Sequence, residues 1–221
     1  NSGYSQYDIL QKFLIKQNNF IQHQLNLQFS NSTNIPRYDR LTDPKGNGLN
    51  SAEWYYGPQT RLLTAYDINY NNPNTLFNSI HANISYQYIV ESRHNRSFGK
   101  DNLSNRIEYV HAVGYSLDIA KQIKTNKIIF GVDGQYSMVI SKANKVDITT
   151  GEQSPLDTRY PNGKDNMNTF AVYATHIGKY GKYFTINDGI RIGVSSLHAH
   201  FNDTTFFKFP FQTVRQNNFT A

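Results

Sequence analysis

Residues 105–140 read NRIEYVHAVGYSLDIAKQIKTNKIIFGVDGQYSMVI, and their alternation decides the fold. Ile107, Tyr109, His111, Val113, Tyr115, Leu117 and Ile119 share one face, and Glu108, Val110, Ala112, Gly114, Ser116, Asp118 and Ala120 share the other. A period of two means an extended strand, because successive side chains point to opposite faces. A polar break at Lys124-Thr125-Asn126 follows. The alternation then returns, with Ile128, Phe130, Val132, Tyr136, Met138 and Ile140 set against Gly131, Asp133, Gln135 and Ser137. Two long strands joined by a tight turn predict a hairpin.

One face of this hairpin is large, apolar and aromatic; the other is small or polar. In a soluble sandwich the apolar face would be the core. In an outer-membrane barrel it would meet lipid, and the polar face would line the lumen. Soluble strands usually run about five or six residues, whereas a membrane-spanning strand needs roughly nine to eleven. Both arms of the hairpin reach the longer figure.

Outward from the hairpin, the same pattern predicts strands over residues 7–16, 20–30, 57–70 and 77–93 on the N-terminal side. On the C-terminal side it predicts strands over 169–178 and 182–195, with a ninth beginning near Thr213. Gln17-Asn18-Asn19, Asn71-Asn72-Pro73-Asn74 and Gly178-Lys179-Tyr180-Gly181 read as tight turns by composition. Residues 31–56, 94–104, 141–168 and 197–212 read as long loops. Short and long connections therefore alternate, the arrangement of an outer-membrane barrel with short periplasmic turns and long outer loops. A Greek-key sandwich has no reason to sort its loops this way. The expected fold is all-β: an antiparallel transmembrane β-barrel segment of about eight strands plus the start of a ninth, forming one domain over 1–221.

The composition is compatible with this. The 221 residues include no Cys, which removes disulfides and thiolate metal sites. Mean hydropathy is −0.61, and no apolar run approaches the length of a membrane helix. A barrel needs only alternate residues to be apolar. The net charge of +6 is spread without runs or stripes, so no nucleic-acid partner is expected. The chain starts at Asn1 without a visible signal peptide and stops at Ala221 after a polar stretch; it is expected to be a piece of a longer precursor.

The first long loop is the most specific stretch. Residues 34–42 (NIPRYDRLT), with 52–59 (AEWYYGPQ) and Arg61-Leu62-Leu63, resemble TonB-dependent outer-membrane receptors, most of all the haem/haemoglobin type of Bacteroidetes-like bacteria. The resemblance implies the early-to-middle part of a barrel of about twenty-two strands. It also implies a plug domain outside this chain, TonB as partner, and haem, a haemoprotein or an iron chelate as transported ligand. The motif by which such receptors hold haem is not among these residues.

Candidate ligand contacts fall in the long loops. Arg37, Tyr38 and Arg40, with Trp54, Tyr55 and neighbouring Tyr56, are the residue types that anchor ligands or partners. The same residues would also serve as rim packing or an interfacial aromatic girdle. His94, between Arg93 and Arg96, suits an anion such as a propionate, or simply a solvated basic loop. His198 and His200 share a face on an extended chain and could ligate iron, or be ordinary loop histidines. His111 should sit at the membrane interface. Asp43-Pro44-Lys45-Gly46-Asn47-Gly48 is no calcium loop, because Lys45 stands where an oxygen ligand is needed. No catalytic triad, P-loop or zinc motif is present, so an enzyme is not expected. The expected function is uptake of haem or another iron source at the outer membrane. The alternatives are a small barrel acting as adhesin or structural protein, and a soluble all-β binding module.

Overall fold

The computed structural model describes residues 3–73, 76–203 and 205–221; Asn74, expected to close the turn after Asn71, lies outside them. In chain order the elements are β1 (Gln6–Lys16), β2 (Ile21–Ser32), β3 (Ile35–Pro36), α1 (Tyr38–Leu41), β4 (Pro44–Lys45), β5 (Gly48–Leu49), β6 (Ser51–Tyr56), β7 (Thr60–Asn71), β8 (Ser79–Ser97), β9 (Asn102–Ile123), β10 (Asn126–Asp147), β11 (Gln153–Pro155), β12 (Lys164–Tyr180), β13 (Phe184–His200) and β14 (Thr213–Thr220). Nine of the strands form one continuous antiparallel wall in the order β1-β2-β7-β8-β9-β10-β12-β13-β14. Each neighbours the strand before it along this path, as in an up-and-down barrel. Among the described residues β1 pairs only with β2 and β14 only with β13, so the wall stays open. It is an all-β barrel segment.

Register carries the two-faced pattern of the hairpin across the wall. Asp118 lies opposite His81 on one side and Gly131 on the other, and Gly131 lies opposite Tyr173. Through these rungs Asp67, His81, Asp118, Asp133, Tyr173 and Arg191 share one polar, inner face. Asp67 there accepts from Asn83 at 2.8 Å, Arg191 pairs with Asp133 at 2.7 Å, and the Tyr173 hydroxyl donates to Asp118. The Tyr173 ring covers Gly131, where any side chain would collide with it. The opposite, outward face carries Ile84, Tyr115, Phe130, Tyr136 and Ile186, all exposed; Phe130 keeps 58% of its surface open. This is the partition the alternation predicts. Among the described residues no large side chain is fully buried. The turn between β9 and β10 is two residues long, and Lys124 takes φ +54°, the left-handed value that such hairpins require.

The structure corrects three of the loops. Residues 94–104 are not a long loop: β8 runs to Ser97, β9 starts at Asn102, and the turn is 98–101. That outer connection is shorter than the one over 72–78, so the short–long sorting fails there. Residues 141–168 shrink to 148–163, with β11 inside, and β13 extends through His198 and His200, which are strand residues. The cause is the same in each case. Beyond the apolar band both faces of the strands are polar, so the hydropathy period vanishes while main-chain pairing continues.

Candidate ligand site at the outer mouth

The upper ends of β8, β9 and β10 extend beyond the apolar band, and β6 returns from the first loop to pair with β8 there. β3 adds to the far edge of β6, with Ile35 opposite Tyr56 and Pro36 opposite Tyr55. Because Tyr56 lies opposite Arg93 and Tyr55 opposite His94, the alternation sends Trp54, Tyr56 and Arg93 to the inner face and Tyr55 and His94 to the outer one.

On the inner face these residues stack. The Trp54 and Tyr56 rings meet edge to face with centroids 5.1 Å apart. The Arg37 guanidinium lies 5.3 Å from the Trp54 ring and 5.4 Å from the Tyr56 ring, and Arg93 lies 5.4 Å from Tyr56. Two guanidinium groups therefore lie against an aromatic pair, at distances that favour cation–π attraction. The Arg37 amide donates to the Trp54 carbonyl at 3.0 Å, and its Nη1 donates to the Tyr56 hydroxyl at 2.7 Å. Arg37 also grips Asp39 with two hydrogen bonds, of 2.8 and 2.6 Å. This fork lowers the Asp39 carboxyl below its ordinary range and raises the Arg37 guanidinium. Arg93 has no carboxylate partner among the described residues.

Next to Arg93, directly across the β8–β9 rung, stands Arg106. Arg106 donates to the Asp157 carboxylate at 2.6 Å and to its carbonyl at 3.0 Å. Two residues further along each segment the charges reverse, and Arg159 lies 3.5 Å from Glu108. Glu108 is only 3% exposed and accepts from Ser141 at 3.3 Å. The loop 148–163 is thus fastened to the inner wall by two ion pairs of opposite polarity, with Leu156 buried alongside.

The other expected contacts separate. Tyr55 stacks on His94 with centroids 4.7 Å apart on the outward face, where His94 also bonds Asn105 at 2.6 Å and Ser92 at 2.9 Å. Burial raises the Tyr55 hydroxyl pKa. Tyr38 and Arg40 lie exposed on α1. His198 and His200 are on the outward face of β13, four strands from Arg93 or roughly 20 Å along the wall. His200 bonds Thr213 at 3.1 Å. Arg106, Asp157, Arg159 and Glu108 lacked a signal in the sequence, since their association spans a loop. The site that results offers stacked cations and aromatic faces to a planar or anionic ligand. Among the described residues, no group of three or more His, Asp or Glu is arranged to hold a metal ion.

No family model matches the chain, and no curated protein matches it. Among solved structures it is similar to the copper transporter OprC, with a TM-score of 0.77 and 12% sequence identity, over 98% of this chain and 33% of that one. The chain spans about a third of that transporter's length. At this identity the likeness is one of fold.

Proposed function

We propose that the chain is a section of the wall of a TonB-dependent outer-membrane receptor that takes up haem or another iron source. The sequence likeness of 34–42 and 52–63 to such receptors supports this, as does an open antiparallel wall with a polar inner and an apolar outer face. The shared fold with a transporter three times as long supports it too. The observation that carries the reading is Arg93: a guanidinium on the inner face at the mouth, stacked on Tyr56, with no carboxylate partner among the described residues. A haem propionate or an anionic chelate would supply the missing charge, and Trp54 and Tyr56 would supply flat apolar surface. Capture at this rim precedes passage along the polar inner face once energised TonB has displaced the plug.

The test is growth on haem as sole iron source of cells carrying the full receptor. Replacing Arg93 with Ala removes a charge-assisted contact of about 1.5–3 kcal/mol, so half-maximal growth should need on the order of tenfold more haem or beyond. His198→Ala with His200→Ala should leave growth unchanged, because both side chains point outward. Parallel uptake assays with a ferric chelate and with copper assign the cargo. Unaltered use of haem and ferric chelate by the Arg93→Ala receptor, at normal membrane levels, removes this rim from iron capture.

A further inference from the structure

The outward face carries a feature that ligand uptake does not use. Tyr86 and Tyr88 of β8, Tyr109 and His111 of β9, and Ile140 and Lys142 of β10 line a shallow hollow of about 390 Å³. The Tyr86 hydroxyl and His111 Nδ1 are 2.9 Å apart, the Tyr88 and His111 rings are 5.0 Å apart, and Lys142 Nζ lies 5.7 Å over the Tyr109 ring. The second nitrogen of His111 has no hydrogen-bond partner among the described residues, nor has Lys142 a carboxylate. No carboxylate lines the hollow.

The height of the hollow is fixed by register. Below it, the outward residues of the same three strands are apolar or aromatic: Ile84, Val113, Tyr115, Tyr136 and Met138. Above it polar residues enter the outward face, with Ser92, His94, Asn105 and Asn144 standing among Val90, Ile107 and Val146. From the β9–β10 turn to His111 is twelve residues, slightly more than the roughly nine to eleven a tilted strand needs to cross the hydrocarbon layer. The hollow therefore stands at the outer boundary of the apolar band. There, Tyr rings fit the headgroup layer and a lysine stem can lie on apolar surface with its ammonium in water.

Resting on the membrane reading above, we infer that this hollow binds the phosphorylated headgroup of an outer-leaflet lipid. Lys142, His111 and the tyrosine hydroxyls supply positive charge and donors for phosphate oxygens, and the apolar side chains just below receive the acyl chains. A soluble phosphate would gain only the first of these contacts, which favours the lipid as occupant.

The experiment uses the full-length protein extracted from outer membranes into an uncharged detergent, with lipid adducts counted by native mass spectrometry. The probes are bis-phosphorylated lipid A, the same lipid with both phosphates removed, and inorganic phosphate. The phosphorylated lipid should be retained, and Lys142→Gln should weaken it about fivefold, the worth of one cation near a charged lipid surface. Lys142→Arg should restore it, His111→Gln should weaken it independently, and the dephosphorylated lipid should bind no better to wild type than the phosphorylated one binds to Lys142→Gln. Equal retention of the two lipids, wild-type retention by both the Gln variants, or displacement of the lipid by equimolar inorganic phosphate would overturn the site; the last outcome marks an adventitious ion only. Recovery of the wild-type protein in the soluble fraction would instead overturn the membrane reading itself, so the two failures are distinguishable.

Discussion

Arg93 and His94 are neighbours with opposite fates. The sequence ends a strand at Arg93 and opens a basic loop at His94, but β8 continues through both and the strand pleat turns one inward and the other outward. Their residue types were legible; their faces depend on pairing with β6, some forty residues earlier, which no local pattern encodes. His198 and His200 repeat the lesson, since the spacing that puts them on one face also puts that face away from the lumen. At Asp147 local chemistry suffices. Its Oδ1 accepts from the Thr149 amide at 2.8 Å, the Thr149 hydroxyl at 2.6 Å and the Thr150 amide at 3.0 Å, which holds its pKa down at about 2. The folded value lies below the unfolded one, so the turn's stabilisation is fully present above the ordinary carboxylate range and is lost as pH falls through about 2. Amide exchange should therefore show Thr149 and Thr150 protected at pH 5 and progressively less protected toward pH 2. Asp147→Asn should flatten that dependence; an identical pH profile in the variant would rule the carboxylate out as its cause.

At the level of elements, the strands within the apolar band were readable from their period, and the hairpin of β9 and β10 most of all. Their extensions were not, because water on both sides erases the contrast on which the period depends. The loop 148–163 shows what the extensions are for. Arg106 and Glu108 rise on β9 beyond the apolar band and meet Asp157 and Arg159 in that order, with the polarity of the second pair reversed. Fixed pairs of opposite polarity set the register of the loop as well as its position. Asp157→Ala leaves Arg106 unpaired beside Arg93, two like charges on one rung, so both attraction and screening are lost. Limited proteolysis of the full-length protein in detergent should then cut within 148–163 several times faster than in wild type. Combining Asp157→Ala with Arg106→Gln should recover part of the protection. A single variant that is cut no faster than wild type would show that Leu156 and β11 hold the loop without the ion pairs.

For the molecule as a whole, fold class, the nine strands of the wall and their facing followed from the sequence, whereas the short strands inside the expected loops and the convergence of the rim site required coordinates. The wall has unpaired main-chain groups along both β1 and β14, which further strands would satisfy. It also has no large side chain fully buried among the described residues, and many aromatic and branched aliphatic side chains are exposed. On the membrane reading proposed above, the solvent for those groups is the surrounding hydrocarbon, and this has a calorimetric consequence. When a soluble domain melts, newly wetted apolar surface raises the heat capacity by roughly 12–15 cal/mol/K per residue. When the intact protein melts in detergent micelles, its outward groups leave one oily neighbour for another. Scanning calorimetry should therefore record a heat-capacity step well short of the soluble figure, and a melting temperature that follows detergent chain length more closely than salt. A full soluble-sized step would mean that a hidden interior, rather than the oil around it, holds the wall together.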